Sequence, residues 1–435
     1  MTSSRLYPDY DIVVCGAGCA GLAAALVSAR SGARVLLVER SAFAGGIITN
    51  VGLSYFDGIA DAVTDRIVLR GMAFEFLQRL GICPAGATHL DQVDPARAVY
   101  RHGAITIRNI EQFKVLADQM LMEQSGRLDV LYHTTLCGVK ADSDNRITEV
   151  HLANKDGLSR VQAKIFIDAT GDADLVRFSG GNAERSAVMM PMTLHFRVGN
   201  VTPHPTLKQR AKDAVVNACN AGELPFFYGP CFEFSFAPDE ITVHAVRVPG
   251  DASNARDLSR AEMQARKDAW AIFECWKKHV PEFKHAYYVT SGPHIGVRET
   301  WRIIGETALT EDDINTRRTY DDAVATGTWY MDVHPNEVTV GSANDFVPRW
   351  PGPYHIRYGS LRPKTLPNVL VAGRCHSATR RAASSSRVTC TSMDMGQSAG
   401  VAATLALKHK LLPAELSGVN VREELERQGL APWSD

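Results

Sequence analysis

The chain has 435 residues, 45% hydrophobic and 22% charged, with a formal net charge of −1. That length exceeds one ordinary core, so two successive or intertwined domains are expected. The balanced charge gives no electrostatic reason for a nucleic-acid or anionic-membrane partner. Nine cysteines are scattered, with no Cys-x-x-Cys pair and no zinc-like Cys/His spacing. No metal site is therefore expected, and the free thiols suit a reducing compartment. Met1 to Tyr10 lacks the basic-then-apolar layout of a signal peptide. Residues 12–29 are uncharged, but their regularly placed glycines read as strand, turn and helix, not as a membrane span. The expectation is a soluble, cytoplasmic protein.

In chain order, residues 11–15 form an apolar strand, 16–21 a glycine turn and 22–31 a helix stopped by Gly32. Residues 34–39 are a second buried strand, completing a βαβ unit. Helical character runs over 59–80, and Asn109 is placed to cap a helix carrying Phe113, Leu116, Met120 and Leu121 at helical spacing. Strands joined by a Ser143-Asp144-Asn145 turn are expected over 128–152, then a buried strand over 164–168 running into Ala169-Thr170-Gly171-Asp172. After Gly181 the texture changes: 192–198 and 241–248 alternate like antiparallel strands, and 260–279 is helical, with Trp270, Phe273 and Trp276 read as core. Buried-strand texture returns at 368–373, and 392–408 is a long helix rich in small residues. The fold class is α/β: one domain assembled from 1–182 and 353–435, with an inserted α+β unit over 183–352.

Gly16-Ala17-Gly18-Cys19-Ala20-Gly21 fits the dinucleotide fingerprint in its proper strand-turn-helix context. The first Gly makes the turn, the second admits the pyrophosphate, the third lets helix pack on strand, and the phosphates meet free N–H groups at the helix start. Glu39 ends the second strand where an acid accepts hydrogen bonds from ribose hydroxyls, and Arg40 follows it. This much fits NAD or FAD. Gly45 and Gly46 supply a second flexible loop on the pyrophosphate side. The distant segments Leu370 to Cys375 and Met395 to Gly400, the latter read as opening a helix, favour FAD: a helix N-terminus can stabilise negative charge on a reduced flavin.

These segments, with DATGDAD from Asp168 to Asp174 and IGVRETWRIIGE from Ile295 to Glu306, resemble the FAD-dependent oxidoreductase family related to succinate dehydrogenase and fumarate reductase flavoproteins. The resemblance covers most of the chain and implies a Rossmann-type, glutathione reductase-like FAD domain. It places Leu136 on the strand touching adenine, and Thr170, Gly171 and Asp172 near the pyrophosphate. Gly373 and Arg374, with Gln397, Ser398, Ala399 and Gly400, would surround the ribityl chain and ring. Hydroxylase-type flavoproteins usually carry Gly-Asp in place of Gly373-Arg374, which weighs against a monooxygenase. Residues 40–50 contain no His, so the covalent attachment of the succinate dehydrogenase type is absent and FAD is expected to be non-covalent.

A flavin exchanges hydride with a substrate carbon while a side chain moves the accompanying proton. His376, beside the ring in the motif, is the first candidate and His334 the second; His195 and His244 read as ordinary strand residues. Arg298 and Arg302, four apart on what reads as a helix, share a face, and Arg298 is a candidate for holding an anionic group, as are Arg387 and Arg380. Cys375 reads as a small residue fitting near the ring. The expectation is a dehydrogenase or oxidase of a small organic molecule, reoxidised by oxygen or an external carrier, in a chain that could form oligomers. The alternatives are a monooxygenase and a non-catalytic electron-relay subunit.

Overall fold

The computed structural model describes residues 5–224, 232–234, 237–334 and 348–434. Its central sheet begins with β1 (Tyr10–Cys15), α1 (Cys19–Arg30) and β2 (Val35–Val38). It continues with β3 (Leu128–Leu131), β4 (Thr135–Ala141), β5 (Ile147–Asn154) and β6 (Gly157–Asp168). The parallel strands stand in the order β3-β2-β1-β6, and β6 then pairs with a strand from the far end of the chain, Val369–Val371. The first half of β6 instead joins β5 and β4 in an antiparallel meander. Mixed α/β architecture with a parallel Rossmann-type sheet is thus what the chain adopts.

Register brings the motifs together. Cys15 is paired with both Val38 and Asp168, Val38 with Leu131, and Asp168 with Val371. The residues that follow these partners, Gly16, Glu39, Ala169 and Ala372, therefore leave the sheet along one carboxyl edge. In open parallel sheets that edge is where ligands bind.

The inserted unit carries β7 (Phe196–Gly199), α2 (Leu207–Asn220), β8 (Phe232–Phe234), β9 (Ile241–Val243), α3 (Ala255–His279) and β10 (Tyr287–Ser291). Its strands order as β8-β9-β7-β10, with a separate apolar core running from Met192 to Ile295. Leu309, Ile314, Val324 and Ala325 pack instead into the core of the first unit. Trp276 and Phe273 are core residues as expected, whereas Trp270 is 53% exposed.

The return segment supplies β11 (Val369–Val371) and α4 (Thr389–His409). Helix α1 is buried along nearly its whole length because α4 lies against it. A Cβ on Gly396 would fall 2.0 Å from the Ala20 carbonyl oxygen, and one on Gly400 would fall 2.8 Å from that of Ala24. These glycines four apart on α4 set how closely the helices approach.

Several boundaries differ from expectation. Only Gly71–Arg79 of the 59–80 stretch is helical, because the preceding residues are tied into loop hydrogen bonds and bridges such as Ala60 with Ile67. The stretch from Arg298 to Arg302 is not a helix: Trp301–Ile303 is a strand paired with Ala183–Arg185, so the two arginines do not share a helical face. Asn109 does cap its helix, accepting the Gln112 N–H at 3.1 Å. Among the described residues, no helix is long and apolar enough to cross a membrane, and no group of three or more His, Cys, Asp or Glu could hold a metal ion.

Candidate active site

A cleft of about 1150 Å³, open to solvent, runs along the carboxyl edge of the sheet. Of the expected cofactor contacts, Gly16, Gly18, Cys19, Ala20, Glu39, Arg40, Gly46, Thr170, Gly171, Asp172, Gly373 and Arg374 line it. Gly16 has φ +96°, and a Cβ there would meet the Ala169 carbonyl oxygen at 2.5 Å. Gly46, φ +53°, lies so near Gly18 that a Cβ would sit 2.7 Å from the Gly18 Cα. Gly21 and Gly45 stand behind this wall: a Gly21 Cβ would strike the Gly16 carbonyl oxygen at 1.7 Å, and the Gly45 N–H bonds the Ala17 carbonyl at 2.8 Å.

Glu39 is buried and accepts the N–H groups of Ala17 (2.7 Å) and Ser41 (2.8 Å), locking the strand end to the glycine turn. Asp168 is fully buried and caps the next turn: one oxygen accepts from Thr170 N–H and hydroxyl, the other from Leu175 and Val176 N–H. Burial would raise the Asp172 carboxyl, but the Arg374 guanidinium and the Thr300 hydroxyl, each 2.7 Å away, hold it below the usual range. Asp172 and Arg374 therefore form one ion pair in the cleft wall.

The other expected contacts stand elsewhere. Leu136 pairs with Leu152 in the meander and packs into the apolar layer on that face of the sheet, off the cleft wall. Gln397 to Gly400 do not open a helix, because α4 already starts at Thr389. Gln397 accepts the Met72 N–H and donates to Asp394, Ser398 donates to the Val324 carbonyl, Ala399 is core, and Gly400 faces α1. The residues at the start of α4 that reach the cleft are Thr389 and Ser392, with Arg387 just before them. The insert adds Ala252, Leu258, His294, Ile295 and Val297 to the wall, a closure that no local motif announced.

The proton and anion candidates are partly rearranged. His376 does not line the cleft; it is wholly buried with Nε2 2.7 Å from the Ser386 hydroxyl, and burial followed by the Arg302 charge lowers its pKa to about 3. Cys375 and Cys390 are buried free thiols, and burial pushes Cys19 up to about 12, so thiolate chemistry is disfavoured there.

His334 lies where Arg387, Arg298 and Asp332 act together. Arg387 Nη2 stands 3.1 Å from Asp332 Oδ2, which is 3.1 Å from His334 Nε2. Arg247 donates to His334 Nδ1 at 2.8 Å, which fixes the imidazole as the neutral form with its proton on Nε2. Burial and then Arg298 lower His334 to about 3, in keeping with that form. Burial alone would raise Asp332, but His334 and Arg387 hold it far below the usual carboxylate range. Arg298 donates to the Pro191 carbonyl (2.6 Å) and the Thr193 hydroxyl (2.7 Å).

The same charges reach residues read from sequence as ordinary. His195 and His244 have ring centroids 5.8 Å apart, with Tyr55 edge-on to His244. Burial, then Arg298 and Arg247, lower His195 to about 3, and among the described residues its buried Nδ1 has no hydrogen-bond partner. Asp57 is buried and pushed up to about 7 by that burial and by Asp332, while its carbonyl accepts the Cys390 N–H at the start of α4. The sequence marked His195 and His244 only as ordinary strand residues; they flank Phe196–Gly199 and Ile241–Val243, and the tertiary fold brings their rings together.

A parallel sheet with this glycine-walled cleft at its carboxyl edge and an inserted unit over it defines a Rossmann-type flavoprotein. The chain belongs to the FAD dependent oxidoreductase family, whose profile matches residues 11–425. It is an enzyme, and its cofactor is FAD. Over 76 residues it is 42% identical to aklavinone 12-hydroxylase DnrF of Streptomyces peucetius, 16% of this chain and 16% of that protein. Over 62 residues it is 45% identical to sarcosine oxidase subunit alpha of a Corynebacterium species, 13% of this chain and 6% of that protein. The chain thus spans only a small part of these curated relatives. Among solved structures it is similar to the myxobacterial chondrochloren halogenase CndH, with 15% identity, 97% of this chain and 79% of that chain covered, and a TM-score of 0.49.

The cleft fits FAD on its own chemistry. Gly18 leaves open space, its nearest neighbour to a Cβ being the Gly46 Cα at 4.0 Å. Among the described residues, Arg374 Nη1, Asn50 Oδ1 and Thr389 Oγ1, all on cleft-lining residues, are buried without hydrogen-bond partners. Such orphan polar atoms are costly unless a ligand engages them.

Proposed function

We propose that this enzyme is a dehydrogenase or oxidase of a small organic anion, with non-covalent FAD in the cleft. The single observation that supports this is Arg387, which lines the cleft and also grips Asp332 in the basic cluster. Bound FAD would supply hydride acceptance or donation at its ring. The N–H groups at the start of α1 would meet the pyrophosphate, Glu39 and Arg40 the adenosine side, and Gly373 and Arg374 the far side across the sheet edge.

Arg387 reaches the cleft wall while holding Asp332, so its guanidinium would also meet an anionic group of a substrate bound there. Asp332 holds His334 in its tautomer, leaving His334 a positioning role. His195, neutral and with Nδ1 unpartnered among the described residues, is not itself on the cleft wall; it packs against Gly52 behind the Val51 part of that wall, from where it would take the substrate proton.

The test is anaerobic bleaching of the flavin absorbance against a panel of small carboxylic acids and their amides. Bleaching by an acid but not its amide is expected. Reduction by NAD(P)H alone, with oxygen consumed only when an organic substrate is added, would replace this reading with a monooxygenase.

A further inference from the structure

Beyond the basic cluster lies a second hollow of about 830 Å³, also open to solvent, walled by Ile314, Tyr330, Met331 and Trp350 with Arg349 and Arg381 at its rim. The rings that shape it hold one another in place. Trp350 stands perpendicular to Tyr330 (centroids 4.8 Å apart, 82°) and to Trp329 (5.0 Å, 82°). His102 stacks on Trp350 at 5.9 Å and 22°. The result is a stiff aromatic corner, which loses little side-chain freedom when a ligand enters.

The lining carries two arginines and, among the described residues, no acid. Among the described residues, neither the Arg349 nor the Arg381 guanidinium forms an ion pair. Of the acids on the adjacent short helix Glu311–Asn315, Asp312 and Asp313 pair with Arg318, while Glu311 accepts the Thr379 hydroxyl and keeps its charge outside the lining. A planar apolar wall with two arginines that form no ion pair among the described residues suits one kind of guest, a flat ring bearing an anionic group.

We propose that this hollow is a binding site for a planar aromatic carboxylate, separate from the FAD cleft. The rings flank the aromatic body, and Arg349 and Arg381 hold the carboxylate. Only a thin partition separates it from the redox site: Tyr330 presents its ring to the hollow while its hydroxyl donates to Asp332 at 3.1 Å, and Arg387 grips the same carboxylate from the cleft side. The proposal concerns binding alone and stands whichever reaction the flavin performs.

Calorimetric titration of the FAD-loaded protein with 2-naphthoate, 2-naphthamide and acetate, at matched ionic strength, tests it. Saturable one-site binding of naphthoate is expected, with naphthamide and acetate each at least tenfold weaker. Arg381→Glu should weaken naphthoate at least tenfold with circular dichroism and flavin content unchanged, and Trp350→Leu should weaken naphthoate and naphthamide alike. The proposal is overturned if the wild-type protein shows no saturable binding or the amide binds as well as the acid. It is equally overturned if Arg381→Glu has no effect while Arg298→Gln abolishes binding, which would move the guest into the basic cluster.

Discussion

Arg387 and Asp332 are joined twice, Nη2 lying 3.1 Å from the carboxylate Oδ2 and 3.3 Å from the Asp332 carbonyl oxygen. Both side chains are largely buried, at 12% and 18% exposure, so water screens the pair weakly. Removing one partner leaves the other charge buried and uncompensated, which costs roughly 3–5 kcal/mol in comparable pairs. Asp332→Ala is expected to lower the urea midpoint of the FAD-saturated protein by a corresponding amount, since Arg387 loses its ion-pair partner and His334 the acceptor of its Nε2 proton. An unchanged midpoint would mean that the cluster is hydrated and screened, and the anion-binding argument would lose its basis.

Gly18 and Gly21 separate folding from cofactor binding. A Cβ at Gly21 would meet the Gly16 carbonyl oxygen at 1.7 Å, so Gly21→Ala is expected to disrupt packing of the turn on α1 and yield little folded protein. At Gly18 the surroundings are open, with only the Gly46 Cα at 4.0 Å. Gly18→Glu should therefore fold, keep its circular dichroism and purify colourless, because its carboxylate occupies the anion-binding turn. A yellow Gly18→Glu protein would show that the cofactor does not use this loop.

The difference between local and tertiary information explains what the sequence reading captured. The glycine turn, Glu39 and the DATGD segment were legible because their roles follow from backbone conformation and strand-end position, which neighbouring residues dictate. Gln397 to Gly400 were misplaced because small residues in a helix look alike whether they face a ligand or another helix; Gly396 and Gly400 in fact serve the contact with α1. Arg298 and Arg302 were misread as helical because their four-residue spacing outweighed β pairing with Ala183–Arg185, a partner more than a hundred residues away. The meeting of His195, His334, Arg247 and Arg387 depends on how the insert folds back over the cleft, and no local pattern encodes it.

His376 offers a pH test of a structural, not chemical, role. Folded, it titrates near 3 because burial, and then Arg302, disfavour the imidazolium; an ordinary histidine titrates at 6.5. Between those values the unfolded chain binds a proton that the folded chain does not. The stability present above pH 6.5 is thus lost as pH falls toward 3, at about 1.4 kcal/mol per pH unit. Asp57 and Asp394, both raised to about 7 chiefly by burial, act in the opposite sense, so the whole-protein slope is a mixture. The comparison of wild type with His376→Gln isolates the imidazole: the gap between their unfolding free energies should shrink steadily from pH 6.5 to pH 4.5. A gap independent of pH would mean that the His376 proton is accommodated in the folded protein.

His195 and His334 are distinguished by what their ring nitrogens already do. His334 is held at Nδ1 by Arg247 and at Nε2 by Asp332, whereas His195 keeps a buried Nδ1 without a partner among the described residues. A group that must accept a proton needs a vacant lone pair, so His195→Gln should slow flavin reduction by the panel's active acid about 10²- to 10⁴-fold, the usual worth of a positioned base. Flavin content and the affinity for that acid should change little, because the arginines that carry the anion are untouched. His334→Gln should instead weaken the affinity for the acid, through the displaced Arg247 and Asp332, more than it slows reduction at saturation. If the two variants exchanged these behaviours in single-turnover reduction, the proton would belong to His334 and the Arg247 contact would have to open during turnover.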